Sequence, residues 1–433
     1  MDDELLVTLA NATRPTLIKV IGVGGGGGNA VAQMYREHIE GVRMLVCNTD
    51  KKALEDNPVP DHLQLGPGLG AGGDPEKGLA IAEENVEAIR QQLDADTHMV
   101  FITAGMGGGT GTGVSPVIAR EARAKGILTV GIVTIPFLFE REKRIDKALD
   151  GLESLAKEVD AILVINNQRL CDIYSDLSII NAFRKADQTL TTAVRSITEI
   201  ITMHGRINLD FCDVSTVLTN GGVAVISTGY GEGPGRVKKA IDNALNSPLL
   251  NNNDVYRSER ILISISFNDT PDTALLTEEI NELNVFMQHF DSQVETKFGL
   301  STDSSLGSKV KITILASGFS LYGKDKKRPI ADTLPSAASA EEELKRQGER
   351  DRFYGSAASK RTKHHRVYLF SPQELLTDGQ LLDEVENTPT YLRSAAAFSH
   401  LCQTAENERL HKTPASTGHR HEQTQSAASG TDQ

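Results

Sequence analysis

The sequence lacks several features that would assign it to a common class. It has no tryptophan, no CxxC pair and no apolar segment long enough to cross a bilayer. Its cysteines are widely separated, which argues against a disulfide framework and a cysteine-based zinc site. The acidic start, Met1–Glu4, has no signal-peptide pattern. We therefore expect a cytoplasmic protein without direct membrane insertion, whose four thiols are reduced: Cys47, Cys171, Cys212 and Cys402.

An excess of positive charge is also missing. The chain has 45 Lys and Arg against 58 Asp and Glu, a net charge of −13, which argues against nonspecific nucleic-acid binding. No G-x-x-x-x-G-K-[ST] motif occurs, so the chain is not a P-loop NTPase. Its 433 residues are enough for two or three domains with a substantial core.

A glycine-rich segment, Gly105–Gly113 (GMGGGTGTG), is the most informative feature present. It follows the apolar run Met99–Ile102 and precedes the helical pattern Val114–Lys125. Glycine packs no side chain, so this segment is not a core element, but it lets backbone N–H groups approach a ligand closely. At the start of a helix such groups favour a phosphate. A flexible linker is the alternative, although linkers do not usually join a buried strand directly to an amphipathic helix.

Two other segments are also rich in glycine. Gly24–Gly28 follows the strand 16–23, and its surroundings satisfy G-x-G-x-x-G, a weak dinucleotide-binding signal. Gly66–Gly73 precedes Asp74 and Pro75, which predict a helix start and a helix running to about residue 93. The polar residues 48–50 follow the next strand, where a dinucleotide enzyme places its acidic residue. An NAD-dependent enzyme is therefore the main alternative to a different phosphate-binding protein.

Strands alternate with helices through residue 165, which predicts a parallel, doubly wound sheet with the glycine segments at the carboxyl ends of its strands. A long amphipathic helix and a second α/β unit follow. The composition from residue 324 to about 365 predicts disorder, interrupted later by an apolar island that is either a docking peptide or a chance cluster. The expected parts are a flexible arm (1–15), a nucleotide-binding domain (16–177), a central helix (178–204), a second α/β domain (205–320), a linker (321–385), an apolar peptide (386–393) and a disordered tail (394–433).

The segment Asn208–Asp213 (NLDFCD) places two carboxylates and an amide just after the long helix. Taken alone, it is best explained as a helix cap, because Asp213 precedes an apolar helical pattern.

These motifs together resemble the tubulin/FtsZ family of GTPases, over roughly residues 14–320. The resemblance rests on GGGGGN, NTD, GLGAG, GMGGGTGTG, TIPF and NLDFCD in this order, of which GGGTGTG is the most specific. The segments SPLLNNND and SLGSKVKITILASGF resemble the Bacteroidetes branch of the family. The implied fold is a Rossmann-type GTPase domain joined by a long central helix to a second α/β domain, with a disordered tail.

The resemblance also implies site residues and a cofactor, GTP or GDP, with Mg²⁺ at the phosphates and no protein residue assigned to the metal. Glu140 and Arg144 would flank the ribose, Asp187 would accept the N–H groups of guanine, and Phe183 would stack nearby. Asn208, Asp210 and Asp213 would complete the active site of a neighbouring subunit. The remaining implied nucleotide contacts are Gly25, Gly26, Gly27, Gly28, Asn29, Asn48, Gly72, Gly108, Gly109, Thr110, Gly111, Thr112, Gly113, Thr134 and Pro136.

The implied function is a GTPase that polymerises head to tail into the midcell division ring, since such contacts do not close. Thr388–Arg393 would bind a membrane tether, although about forty residues follow it here. Ile135 stands where many relatives have Lys, and Arg141-Glu142 replaces a Gly-Lys pair. A GTP-binding scaffold without dynamic polymers is a further alternative, and nucleotide co-purification and GTP-triggered light scattering separate the possibilities.

Overall fold

The structure is a computed structural model that describes residues 17–174, 178–203, 205–247, 255–291, 293–319, 346 and 348–354. Almost all of these belong to one compact unit, formed by Met1–Ile173 and Ile179–Lys363. A second unit, Tyr174–Ser178 with His364–Gln433, contributes only Tyr174 and Ser178 to the described residues. The apolar peptide Thr388–Arg393 lies outside the described residues.

Eleven strands in the described residues form one sheet, in the order β3-β2-β1-β4-β5-β6-β8-β11-β9-β10-β7. Strands β1–β6, the parallel half, pair only in parallel. Strands β7–β11, the mixed half, join it where β6 pairs with β8 over two residues. The strands are β1 (Ile18–Val23), β2 (Val42–Asn48), β3 (His62–Gln64), β4 (Met99–Gly105), β5 (Leu128–Ile135), β6 (Ala161–Asn166), β7 (Gly205–Ile207), β8 (Gly222–Gly231), β9 (Arg260–Phe267), β10 (Glu295–Thr302) and β11 (Val310–Phe319).

The strands of the parallel half are buried because helices cover both faces of the sheet, as their nearly continuous apolar sequences require. One apolar cluster fills this half and a second fills the mixed half. The α-helices are α1 (Gly24–Arg36), α2 (Lys51–Glu55), α3 (Pro75–Glu84), α4 (Val86–Gln91), α5 (Thr110–Ala124), α6 (Glu142–Glu158), α7 (Asn167–Ile173), α8 (Ile179–Thr202), α9 (Phe211–Leu218), α10 (Arg236–Leu245) and α11 (Thr277–Met287).

Helix α8 is the predicted long helix. Its 24 residues bury a continuous apolar stripe, because residues such as Ala186, Leu190 and Ile197 recur at helical spacing. The hydroxyl of Ser196 lies 3.1 Å from that of Thr228 on β8, so the helix also contacts the mixed half. The parallel sheet, the long helix and the second α/β half confirm the predicted fold class.

Four local predictions are wrong. Helices α1 and α5 begin at Gly24 and Thr110, inside the glycine segments that were expected to precede them. The helix predicted from Asp74 to residue 93 divides at Asn85. Residues 346 and 348–354, the tail helix, are helical although the composition predicts disorder. Tertiary contacts override local propensity in these segments.

Candidate nucleotide site and acidic loop

The three glycine segments meet at the carboxyl edge of the parallel half. A methyl group built on Gly24 would lie 2.9 Å from the nitrogen of Gly111, and one on Gly26 would lie 3.2 Å from the Cα of Gly105. A methyl group on Gly109 would lie 2.8 Å from the nitrogen of Asp74. The backbones of all three segments are therefore in contact, as the sequence predicts.

The glycines of this edge fall into two classes. Methyl groups on Gly27 and Gly113 would lie 2.1 and 2.2 Å from backbone oxygens, so these two residues permit close packing of the chain. Methyl groups on Gly25, Gly72 and Gly108 would meet no described atom within 4 Å. These three residues therefore border an open space, which we call the cradle.

Two helix N-termini border the cradle. Neither Val23 before α1 nor Gly109 before α5 supplies a side-chain cap, so the first N–H groups of both helices keep their donors available. Both helix dipoles place partial positive charge here. Asn29 is exposed in α1, close to the same edge. An anion with several oxygens, such as a polyphosphate, is the ligand that this arrangement favours.

Polar side chains fix the loops around the cradle. The hydroxyl of Thr110 lies 2.7 Å from that of Thr49, and the buried hydroxyl of Thr112 accepts a hydrogen bond from the nitrogen of Gly107 at 2.9 Å. The buried Asn48 accepts a hydrogen bond from the backbone nitrogen of Asp50. The side-chain oxygens of Thr112 and Asn48 thus hold backbone N–H groups in place. Gly28 and Gly111 have only backbone atoms to offer a ligand.

One side of the site is formed by the segment between β5 and α6, which we call the β5–α6 loop. The carbonyl of Thr134 accepts a hydrogen bond from Met106, and the buried Pro136 follows. Glu140 accepts a hydrogen bond from the nitrogen of Phe137 at 2.9 Å, and its other carboxylate oxygen lies 3.1 Å from Nε of Arg144. The two residues expected at the ribose are therefore already paired with each other.

Backbone strain occurs in the same loop. Arg141 has φ = 72° and ψ = 157°, a region that is essentially restricted to glycine. Glycine would adopt these backbone angles without strain, whereas Arg141 does not.

Helix α8 places Phe183 and Asp187 beside this loop. The rings of Phe183 and Phe137 are 4.9 Å apart in an edge-to-face arrangement, and Phe183 stays 43% exposed, so one face can receive another ring. Asp187 is one helical turn further along, on the same face. Burial raises the pKa of the Asp187 carboxyl to about 7.

The acidic loop, Asn208–Asp213, has a rigid local structure. Asp210 and Asp213 form a reciprocal capping box at the start of α9, with hydrogen bonds of 3.0 and 3.2 Å. Asn208 accepts a hydrogen bond from the nitrogen of Gly205 at 2.7 Å. Nζ of Lys297, on β10, lies 3.1 Å from Oδ1 of Asp213. Sequence reasoning missed Lys297, because nothing local links a strand lysine to a loop 84 residues earlier.

The acidic loop and the cradle lie at opposite edges of the parallel half. The ring of Phe211, inside the loop, is 6.1 Å from that of His98, which immediately precedes β4. The central glycine segment begins at Gly105, the other end of β4, which is six residues from Met99, or about 20 Å at 3.3 Å per residue. The structure therefore brings the glycine segments together at one edge but leaves Asn208, Asp210 and Asp213 at the other.

The described residues contain neither a cluster of metal ligands nor a membrane-spanning helix. No three His, Cys, Asp or Glu side chains in those residues are arranged to hold a metal ion. None of the helices described has the length and apolarity needed to cross a bilayer.

Comparisons with known proteins identify the family. Residues 17–175 match the model of the "Tubulin/FtsZ family, GTPase domain", and residues 222–320 match that of the "FtsZ family, C-terminal domain". A cell division protein FtsZ of Porphyromonas gingivalis is 48% identical over 93% of this chain and 91% of its own length, which agrees with the Bacteroidetes resemblance. The FtsZ of Azotobacter vinelandii is 42% identical over 76% of this chain and 84% of its own.

Solved structures agree with this assignment. A chain described as "FtsZ dimer, empty (M. jannaschii)" superposes with a TM-score of 0.65 at 34% identity, covering 77% of this chain and 99% of that one. CetZ1 from Haloferax volcanii, at 22% identity and a TM-score of 0.61 over 70% of this chain and 94% of its own, shares the fold. With two family models and a nearly full-length relative in agreement, the chain belongs to the FtsZ family of tubulin-like cell-division GTPases.

Proposed function

We propose that this GTPase cleaves GTP only between two subunits stacked head to tail, with the cradle of one subunit facing the acidic loop of the next. The observation that carries this proposal is the separation of about 20 Å between the two ends of β4, because a side chain of the acidic loop does not reach a nucleotide bound in its own subunit. A partner stacked end to end would bring the two together.

Within the proposed site, the backbone N–H groups of Gly25–Asn29 and Gly108–Gly113 would bind the phosphates. Glu140 and Arg144 would contact the ribose, with Thr134 and Pro136 beside it, while Phe183 and Asp187 would contact the base. Asn48 and Gly72 would complete the wall of the cradle. These assignments follow the family resemblance and are supported by the clustering of all these residues at one edge.

Mg²⁺ would accompany the phosphates. This ion usually keeps several waters and takes its other oxygens from phosphates and one or two side chains, so a dedicated protein cage is not required. When bound, it would neutralise charge on the phosphates. The chain's own residues would position the nucleotide and exclude misoriented water.

Asp213 and Asp210 would orient the attacking water in the neighbouring subunit. Phosphoryl transfer requires a positioned nucleophile and stabilised charge more than it requires a strong base. The capping box and Lys297 hold Asp213 in place before any partner binds. Docking of a second subunit therefore costs little conformational entropy in this loop.

The cellular role that we infer from the family resemblance is assembly into the division ring, and the relative from Porphyromonas gingivalis is a cell division protein. The remaining expectations, a membrane tether on Thr388–Arg393 and a location at midcell, follow from the same resemblance. Coupled sedimentation with anionic vesicles alone, and with a purified tether, would test the docking peptide.

Complementation of two inactive variants tests the shared site. Asp213→Asn keeps the cradle but loses the acidic group, while Gly108→Asp places a carboxylate in the open cradle and repels the phosphates. Each variant alone should be inactive. An equimolar mixture should recover about a quarter of the wild-type turnover if the two variants are incorporated in random order. One interface in four then pairs an intact cradle with an intact loop.

The mixture should stay inactive if each subunit cleaves its own nucleotide. Co-sedimentation of a labelled Gly108→Asp chain with Asp213→Asn filaments is the control for incorporation. Hydrolysis at the full rate by a variant shown to remain monomeric would also refute the proposal.

A further inference from the structure

The tail helix docks on the parallel half through two buried side-chain contacts. The hydroxyl of Tyr354 donates a 2.7 Å hydrogen bond to the carbonyl of Pro136, and Nδ2 of Asn166 donates to the carbonyl of Phe353 at 2.6 Å. Tyr354 is only 7% exposed and belongs to the apolar core of this half, against which Phe353 also packs. A tyrosine buried this deeply with a satisfied hydroxyl marks a specific contact.

Charge complementarity supports the same contact. Arg346 and Arg350 are four residues apart, so they project from one side of the tail helix. They meet three acidic residues that are spaced in the same way along α6. Arg350 lies 3.1 Å from Glu142 and 3.0 Å from Asp146, and Arg346 lies within 3.9 Å of Asp146 and Asp150.

Asp146 shows why the arginines matter to this surface. Burial raises the pKa of its carboxyl, and the neighbouring arginines act in the opposite direction. Removing them would leave a partly buried charge without a partner, which is costly. The face of α6 is therefore built to be covered by a basic segment, and residues 346 and 348–354 of this chain cover it.

The tail helix contacts a loop that borders the proposed nucleotide site. Pro136 belongs to the β5–α6 loop, which also contains Glu140 and leads to Arg144. A methyl group on Gly107, in the central glycine segment, would lie 3.0 Å from Cγ of Pro136 and 2.7 Å from the carbonyl oxygen of Arg144. The tail helix thus holds a loop whose other side supports the cradle.

We propose that docking of the tail helix and occupancy of the nucleotide site stabilise each other, with Tyr354 acting as a positioning residue for the β5–α6 loop. The proposal rests on the assignment of this loop to the ribose side of the site. Linkage is reciprocal: if docking raises the affinity for nucleotide, bound nucleotide must tighten docking by the same factor. The docking of the tail helix would then depend on whether nucleotide is bound, and the residues that follow this helix would be held or released accordingly.

The test uses the full chain below its assembly concentration. The dissociation rate of a fluorescent GDP analogue is measured in wild type, Tyr354→Phe and Arg350→Glu, with Asp351→Ala as the matched control on the exposed side of the same helix. Loss of one hydrogen bond or ion pair should speed release about two- to tenfold. Asp351→Ala should release GDP at the wild-type rate.

Hydrogen exchange supplies a readout that a purely structural role would not move. Amide exchange of residues 348–354 should slow when GDP is added to wild type, and should not respond in Tyr354→Phe. Release at the wild-type rate from both Tyr354→Phe and Arg350→Glu would overturn the inference.

Glu140→Ala separates a failure of the proposed ribose contact from a failure of the linkage between the tail helix and the nucleotide site. Fast release from Glu140→Ala together with normal release from the tail variants would refute the linkage and keep the ribose contact. Normal release from Glu140→Ala together with fast release from the tail variants would remove the ribose contact and keep the linkage.

Discussion

The affinity for guanine nucleotides should fall as the pH falls below about 7. Guanine offers two N–H donors, and only the ionised carboxylate of Asp187 can accept from both. In the free protein, burial raises the pKa of this carboxyl to about 7, so at pH 6 most molecules hold a proton that guanine must displace. The direction follows from this competition: acid favours the protonated carboxyl and opposes binding.

The size of the effect follows from the pKa. With a free pKa of about 7, the fraction of competent carboxylate is about one half at pH 7 and about one tenth at pH 6, so affinity drops about tenfold between pH 8 and pH 6, or about 1.4 kcal/mol. Binding should release about 0.9 proton at pH 6 and about 0.1 at pH 8.

Stability of the nucleotide-free protein should respond in the opposite direction. Because the folded pKa of Asp187 lies above the unfolded value of 3.8, the folded state binds more protons between about pH 4 and pH 7. This carboxyl therefore lowers the free energy of unfolding as the pH rises through that window, and bound guanine removes the penalty.

Isothermal titration calorimetry of GDP binding at pH 6, 7 and 8, in two buffers of different ionisation enthalpy, measures both the affinity and the protons released. The phosphates of GDP also titrate near pH 6, so Asp187→Asn is the control: it keeps the phosphate contribution and lacks the carboxyl. An identical pH dependence in wild type and Asp187→Asn would refute the assignment of Asp187 to the base.

Three other substitutions test the site. Gly108→Ala should leave the melting temperature unchanged but weaken GDP binding at least tenfold, since its methyl group enters the open cradle. Gly27→Ala should instead lower the free energy of unfolding by about 1–3 kcal/mol, because its methyl group would lie 2.1 Å from a backbone oxygen. Equal melting temperatures for the two variants would contradict this division. Lys297→Met should lower GTP turnover in filaments about tenfold with unchanged GDP affinity, and Lys297→Arg should recover it, because a misplaced Asp213 orients water poorly. Arg141→Gly should raise the free energy of unfolding by about 1 kcal/mol in denaturant titrations, by relieving the strain at φ = 72°.

Most of the fold is predictable from the sequence because its signals are local. The parallel strands are apolar runs that each precede a helical pattern, and the connection rules then bring the three glycine segments to one edge. Asp74 and Pro75 predict a helix start for physical reasons, and α3 does begin at Pro75 with Asp74 as its cap.

Helix starts within glycine segments were not predictable in this way. Glycine has low helix propensity, so a local reading favours a loop at Gly24–Gly28. The structure favours the helix because only glycine fits where Gly27 packs against the end of β4. The same residues thus discourage a helix by propensity and permit it by packing.

The base and ribose residues depend on contacts distant in the chain. No local pattern distinguishes Asp187 from any other acidic residue on an amphipathic helix, and its assignment came from the family resemblance. The tail helix carried a detectable signal, since the four-residue spacing of Arg346 and Arg350 matches that of Glu142, Asp146 and Asp150. That match becomes meaningful only once the two helices are known to be adjacent.

The positions of the cradle and the acidic loop at opposite edges have a consequence for the assembly as a whole. A filament in which each cradle faces the next acidic loop has one fewer complete site than it has subunits, because the cradle at one end has no partner. If the proposed shared site is correct, that end subunit would keep its GTP intact while interior subunits cleave theirs. The two ends of such a filament therefore differ chemically as well as geometrically, and the difference follows from the length of a single strand, β4.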